Sequence, residues 1–197
     1  MARDHARILV AIWGDPAWKA LTSVQQLVYA ALISSQDLSY CGVVPYIPAR
    51  YLDLSSDMTE RKFTSAISGL EQGKFVIRDT RTAELLVRSY VRHDGVLKQP
   101  NVTKALVTAL RKVHSDRLRE AVSSELVRLL LEQPDAKGWK GYGEADPEGF
   151  QNLMAKAYPS PSGNPSPNPK ATPFPLPLSP SSSPLPVPHQ ADQKASA

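Results

Sequence analysis

The residues able to do covalent chemistry are few, and their spacing does not suit it. Gly69 to Lys74 (GLEQGK) has the outline of a phosphate loop, but only three residues separate the glycines. Phe75 then stands where a serine or threonine would hold magnesium. His93-Asp94 is a pairing used by metal-dependent phosphohydrolases, yet His5, His114 and His189 lie at no spacing that completes a ligand set. Cys41 is the only cysteine, so no disulfide forms within the chain. It has no histidine near it in sequence and reads as a packed thiol. Asp53 and Asp57 follow a short helical pattern, where capping accounts for them. These residues point away from an enzyme, a metal site and any cofactor.

The cationic side chains are distributed more informatively. The chain carries a net charge of +4, but residues 1–57 hold four Lys/Arg against five Asp/Glu, residues 58–119 thirteen against six, and residues 120–157 four against seven. The positive field is therefore local, and a local cluster is the electrostatic footprint expected of a nucleic-acid contact surface. The apolar run Ile8 to Trp13 stops at Gly14-Asp15-Pro16 and is too short for a signal peptide. No stretch reaches the length of a membrane span. A cytoplasmic location, in a bacterial host's cytoplasm or nucleoid, and no membrane partner are expected.

The elements that must position these cations follow from periodicity. Thr22-Ser23-Val24-Gln25 is a capping-box pattern, after which Val24, Leu27, Val28, Ala31 and Leu32 recur at helical spacing to about Ser34. Gly42 to Tyr46 is a short extended piece, and Pro48 opens a second helix through Leu52. A third helix, about Thr59 to Gln72, gathers Phe63, Ala66, Ile67 and Leu70 on one stripe, with Gly73 as a left-handed terminus. Phe75 to Asp79, a turn at Thr80 to Ala83, and Glu84 to Val91 read as a hairpin. The fold class expected is mainly α with a small β-hairpin wing: a winged helix-turn-helix over residues 1–97.

Two helices extend it over residues 98–133. Pro100 opens one, with Val102, Ala105, Leu106, Ala109, Leu110 and Val113 in register and a basic outer face. Ser115-Asp116 caps the other, about Arg117 to Glu132, where Leu118, Ala121, Val122, Leu126, Leu129 and Leu130 align and Val127 and Leu131 widen the stripe. Residues 134–157 read as a linker with a short helix at Phe150 to Ala157. Residues 158–197 hold twelve of the eighteen prolines and read as a disordered Pro/Ser-rich tail.

The run Gly69 to Ile77 (GLEQGKFVI), taken with Cys41 to Tyr46 (CGVVPY) and Leu86 to Val102, resembles actinobacterial phage and prophage helix-turn-helix and replication-initiation proteins, similar in layout to the N-terminal domains of phage replisome organisers. The resemblance covers roughly residues 1 to 133. It implies binding to origin-region or operator DNA. Replisome organisers often carry a second structured domain, whereas two helices and a proline-rich tail follow here.

The expected activity is sequence-specific binding of double-stranded DNA at a phage or prophage replication origin or control region. A transcriptional regulator using the same head, and a winged-helix protein-interaction module, remain as alternatives. A recognition helix in the major groove would read base edges through Arg61, Lys62 and Ser65, with Thr59, Thr64 and Ser68 in support. Lys74, Arg78 and Arg81, in or near the wing, would meet phosphate or the minor groove; Lys98, Lys104, Arg111 and Lys112 would extend the phosphate track. Further expected partners are a second copy of the chain and replication or transcription proteins met through helix 117–132 or the tail. Residues 1–114 are expected to retain most DNA affinity.

Overall fold

The computed structural model describes residues 6–159, and the expected proline-rich tail lies outside the described residues from residue 160 onward. Five of the eight α-helices among the described residues begin at a side chain that answers an otherwise unpaired N–H. Asp15 Oδ1 accepts from the Ala17 amide at 2.8 Å and starts α1 (Pro16–Lys19). Thr22 and Gln25 exchange bonds at 3.3 and 2.8 Å, a complete capping box for α2 (Ser23–Ile33). The same role falls to Thr59 at α3 (Glu60–Gln72), Ser115 at α6 (Asp116–Glu132) and Asp146 at α8 (Pro147–Ala157). Three strands, β1 (Val43–Pro45), β2 (Val76–Asp79) and β3 (Glu84–Val87), form an antiparallel sheet in the order β1-β3-β2. The remaining helices are α4 (Tyr90–His93), α5 (Pro100–Leu110) and α7 (Gly138–Ala145). The structure is therefore mostly helical around one small antiparallel sheet. Among the described residues no helix is long and apolar enough to cross a membrane.

One apolar core runs through these elements. The α3 stripe is buried as its periodicity requires, Phe63, Ile67 and Leu70 completely. Tyr51 stacks on Phe63 at 4.8 Å, which seats Pro48–Leu54 against α3. That segment winds as a 3-10 helix rather than the α-helix expected, with the proline still in its first turn. Trp18, Tyr29 and Phe75 meet edge to face at 5.5 to 6.3 Å, joining α1, α2 and the start of the hairpin.

Four sequence expectations need correction. Helix α2 buries Val28, Tyr29, Leu32 and Ile33, not Leu27, which is exposed, because the aromatic cluster draws Tyr29 inward. Gly73 is right-handed; the left-handed residue is Lys74, φ 62°, whose amide closes on Glu71. The hairpin's second strand stops at Val87, and Tyr90 begins α4, with its ring against left-handed Gly42. In α5 the helix is buried deeper than its stripe implied, through Thr103, Leu106 and Val107, because α7 covers a second face.

The linker expected over residues 134–157 is largely helical: the short helix expected at Phe150 to Ala157 is present within α8, and a further helix, α7, precedes it. Residues 138–157 are two helices, α7 and α8, whose Trp139, Tyr142 and Phe150 form an aromatic cluster with centroids 6.0 to 6.3 Å apart. The glycines that suggested a linker let α7 approach closely. A Cβ on Gly141 would lie 2.1 Å from the Pro100 carbonyl oxygen, and one on Gly138 would lie 2.6 Å from the Leu97 backbone. On α6, Leu118, Val122, Leu126, Leu129 and Leu130 are all buried, Val127 is half-buried and Leu131 alone of the widened stripe stays exposed.

Candidate nucleic-acid interface

Helix α3 presents the face that chemistry could use. With Phe63, Ala66, Ile67 and Leu70 turned inward, a 100° step per residue sets Arg61, Ser65, Ser68 and Gln72 on the opposite side. Arg61 and Ser65 are exposed, and Arg61 has no ion-pair partner among the described residues. The other expected contacts are partly committed. Thr59 caps the helix, Ser68 donates to the Thr64 carbonyl at 3.0 Å, and Thr64 is half-buried. Lys62 Nζ meets Asp57 at 2.6 Å and holds that carboxyl below its ordinary range. Both groups are exposed, so water and salt screen the pair and a phosphate could replace the carboxylate.

The hairpin is fixed to α3 by one arginine. Arg78 reaches Glu71 Oε2 at 2.9 Å and donates to the Tyr46 hydroxyl at 3.0 Å. Its guanidinium also lies 5.2 Å from the centroid of that ring. Its backbone amide donates to the other Glu71 oxygen. With its side chain only 18% exposed, Arg78 is a brace rather than a free cation. Arg81, in the turn, is 83% exposed and keeps a long 3.7 Å contact to Asp79. Lys74 is exposed at the corner between α3 and β2, where Arg88 donates to its carbonyl.

A second set of contacts anchors the hairpin from behind. Glu84 accepts the His114 and Ser115 amides at 2.9 and 2.8 Å, and Asp79 accepts the Ser115 hydroxyl at 2.6 Å. Burial alone would raise Glu84, but those amides outweigh it and hold its carboxyl below the ordinary 4.5. The Ser115 hydroxyl, with the Arg81 amide, does the same for Asp79. The start of α6 thus lies against both hairpin strands, and Arg117 donates to the Arg78 carbonyl at 3.4 Å.

The cations farther along the chain divide. Lys112 is exposed and lines a groove with Pro45, Ala83 and Glu84, so it belongs to the hairpin's surroundings. Lys98 is exposed, beside Arg92 and Lys137, among the residues that join α4 and the end of α6. Lys104 pairs with Glu144 at 2.7 Å, while Arg111 donates to the Ala145 carbonyl at 2.8 Å and lies 3.6 Å from Asp146. These last two are turned toward the end of α7, a helix that periodicity does not mark, and toward Asp146, which caps α8. Sequence reasoning also missed Arg88, Arg117 and Gln72. The arginines fell inside the basic segment 58–119, but nothing local marked them as neighbours of the hairpin. Cys41 is buried, its Sγ 3.2 Å from the Ser39 hydroxyl, and burial pushes its thiol up, away from the thiolate a nucleophile needs.

Comparison with protein-family models, with curated proteins and with solved structures finds no match to the chain.

Proposed function

We propose that the chain binds double-stranded DNA in a sequence-specific manner, as a winged helix-turn-helix with α3 as the recognition helix and the β2–β3 turn as the wing. The layout of α2, β1, the turn Pro48–Leu54, α3 and the hairpin, with β1 joining β3, fits that architecture. The observation that carries the reading is the division of labour on α3. One face is fully buried, and the opposite face offers Arg61, Ser65 and Gln72, with exposed Arg81 in the neighbouring turn. Arg61 would pair with a guanine edge, and Ser65 and Gln72 with neighbouring bases. Arg81, Lys74, Arg88, Lys112 and Arg117 would hold phosphates, with Lys62 exchanging Asp57 for one. Lys104, Arg111 and Arg78 take structural roles in this reading, which narrows the contact set expected from sequence. A replication origin or control region in a phage or prophage genome is the target that the family resemblance implies.

Titration of labelled duplex at several salt concentrations tests the reading. Affinity should fall with a log–log slope of about −0.9 per phosphate contacted. Arg61→Ala should cost about 1–3 kcal/mol and relax preference at one base pair, whereas Arg81→Ala should weaken all sequences alike and reduce the slope by about one. Lys104→Ala should leave both unchanged. Binding that ignores salt, or is indifferent to Arg61→Ala and Arg81→Ala, would overturn the proposal in favour of a protein-docking module.

A further inference from the structure

The N-terminal segment is built unlike the rest of the surface. Within six consecutive residues Ile8, Leu9, Val10 and Trp13 are 50%, 43%, 85% and 64% exposed. Only Ile12 turns inward to pack on the core, and the 3-10 turn Val10–Gly14 buries no residue. Single exposed apolar residues are ordinary, but a contiguous strip of large ones marks an interface. The strip also borders a pocket of about 200 Å³, lined mainly by apolar groups, Ile8, Leu9, Tyr29, Ile33, Phe75 and Tyr90, with Arg7, Asp15, His93 and Asp94 also in its wall. Trp13 does not line it, but its ring meets Trp18 at 6.3 Å and 80°, and Trp18 in turn meets Tyr29 and Phe75 of the pocket wall. A largely exposed indole and a mainly apolar hole thus lie near each other, joined through Trp18.

We propose that residues Arg7 to Asp15 form a two-fold contact between two copies of this chain. A knob and a hole on the same patch are self-complementary, and a two-fold axis satisfies both at once and closes the assembly. Charge gives the register. Arg7 and Asp15 are exposed at opposite ends of the strip, so an axis through Ala11 sets Arg7 of each copy against Asp15 of the other. Trp13 of each copy then enters the other's pocket, and Val10 is covered near the axis. The contact stands on these residues whether or not the chain binds DNA.

Sedimentation of the full chain across micromolar concentrations tests it. The wild type should dimerise, and Val10→Lys should raise the dimer dissociation constant about tenfold or more, since a buried methyl pair would become a buried charge. Val10 supports no part of the core, so a circular-dichroism melt should confirm that this variant folds. Arg7→Asp and Asp15→Arg should each weaken the dimer, because like charges then face each other at both ends; Asp15 also caps α1, so the melt is run on Asp15→Arg as well. An equimolar mixture of the two should restore it, because each copy then meets its opposite charge. A wild type that remains monomeric, as expected if another protein's apolar segment occupies the strip, overturns the proposal. So does a dimer indifferent to Val10→Lys and Trp13→Ser, or a mixture no tighter than its parts.

Discussion

Asp79 and Glu84 are carboxylates whose decisive partners are hydrogen-bond donors at the start of α6 rather than opposite charges. Each has its carboxyl lowered in the folded protein, so each adds stability that is fully present above its unfolded value and lost as pH falls through the folded one. The thermal midpoint, followed by circular dichroism, should therefore drop as pH falls below about 5. Glu84→Gln should shallow that drop. It should also cost about 1–3 kcal/mol at neutral pH, because an amide nitrogen would then face one of the two backbone donors that the carboxylate satisfies. A variant with the wild-type midpoint at neutral pH would show that these amides find water equally well. The same scale explains why the candidate interface was only half legible in sequence. Residue types and their clustering in 58–119 were visible, but which cations are already engaged depends on distant partners. Arg78 is claimed by Tyr46 and Glu71, Lys104 by Glu144 and Arg111 by Asp146, none of which periodicity can place beside them.

At the scale of elements, α7 makes the sharpest prediction. Replacing a mid-helix glycine by alanine ordinarily gains about 1 kcal/mol, since the chain loses less backbone freedom on folding. Gly143→Ala should show up to that gain, because its Cβ would meet only the Phe150 ring at an ordinary 3.5 Å. Gly141→Ala should instead destabilise by about 1–3 kcal/mol, because the obstruction is the Pro100 carbonyl, which cannot move without shifting α5. Denaturant midpoints of the two variants should thus move in opposite directions, and a common direction would remove the close approach from the account. This helix was hidden in the sequence for the reason it packs well: glycines that admit a neighbouring backbone look like glycines that loosen a chain. Helix α3 was legible because Phe63, Ala66, Ile67 and Leu70 repeat at three and four and Thr59 caps the turn before them. The second hairpin strand is shorter than its sequence suggests because Tyr90 and Val91 favour strands locally, whereas burial against Gly42 and α6 carries them into a helix.

For the whole molecule, the packing changes the expectation that residues 1–114 suffice. Ending the chain there removes Ser115, which Asp79 and Glu84 hold, and strips α6 from the hairpin and α4. Arg92 of α4 pairs with Glu125 of α6, and five leucines and valines of α6 lie in the core. It also exposes the faces of α5 that α7 covers at Gly138 and Gly141. A fragment of residues 1–114 should lack a cooperative thermal transition, whereas residues 1–159 should melt in one step close to the full chain. Equal cooperativity in the two fragments would mean that the later helices are accessory. The hairpin shows what this dependence permits. Its strands are gripped from two sides, by Arg78 toward α3 and by Asp79 and Glu84 toward α6, while the residues between them, Thr80 to Ala83, contribute nothing to the buried core. Side chains can therefore change at exposed Thr80 and Arg81 without disturbing the base, as long as the Arg81 amide still reaches Asp79 and left-handed Ala83 still accepts from the Tyr46 amide. Variation in such a chain therefore concentrates at those tip side chains before any change in the interior is required.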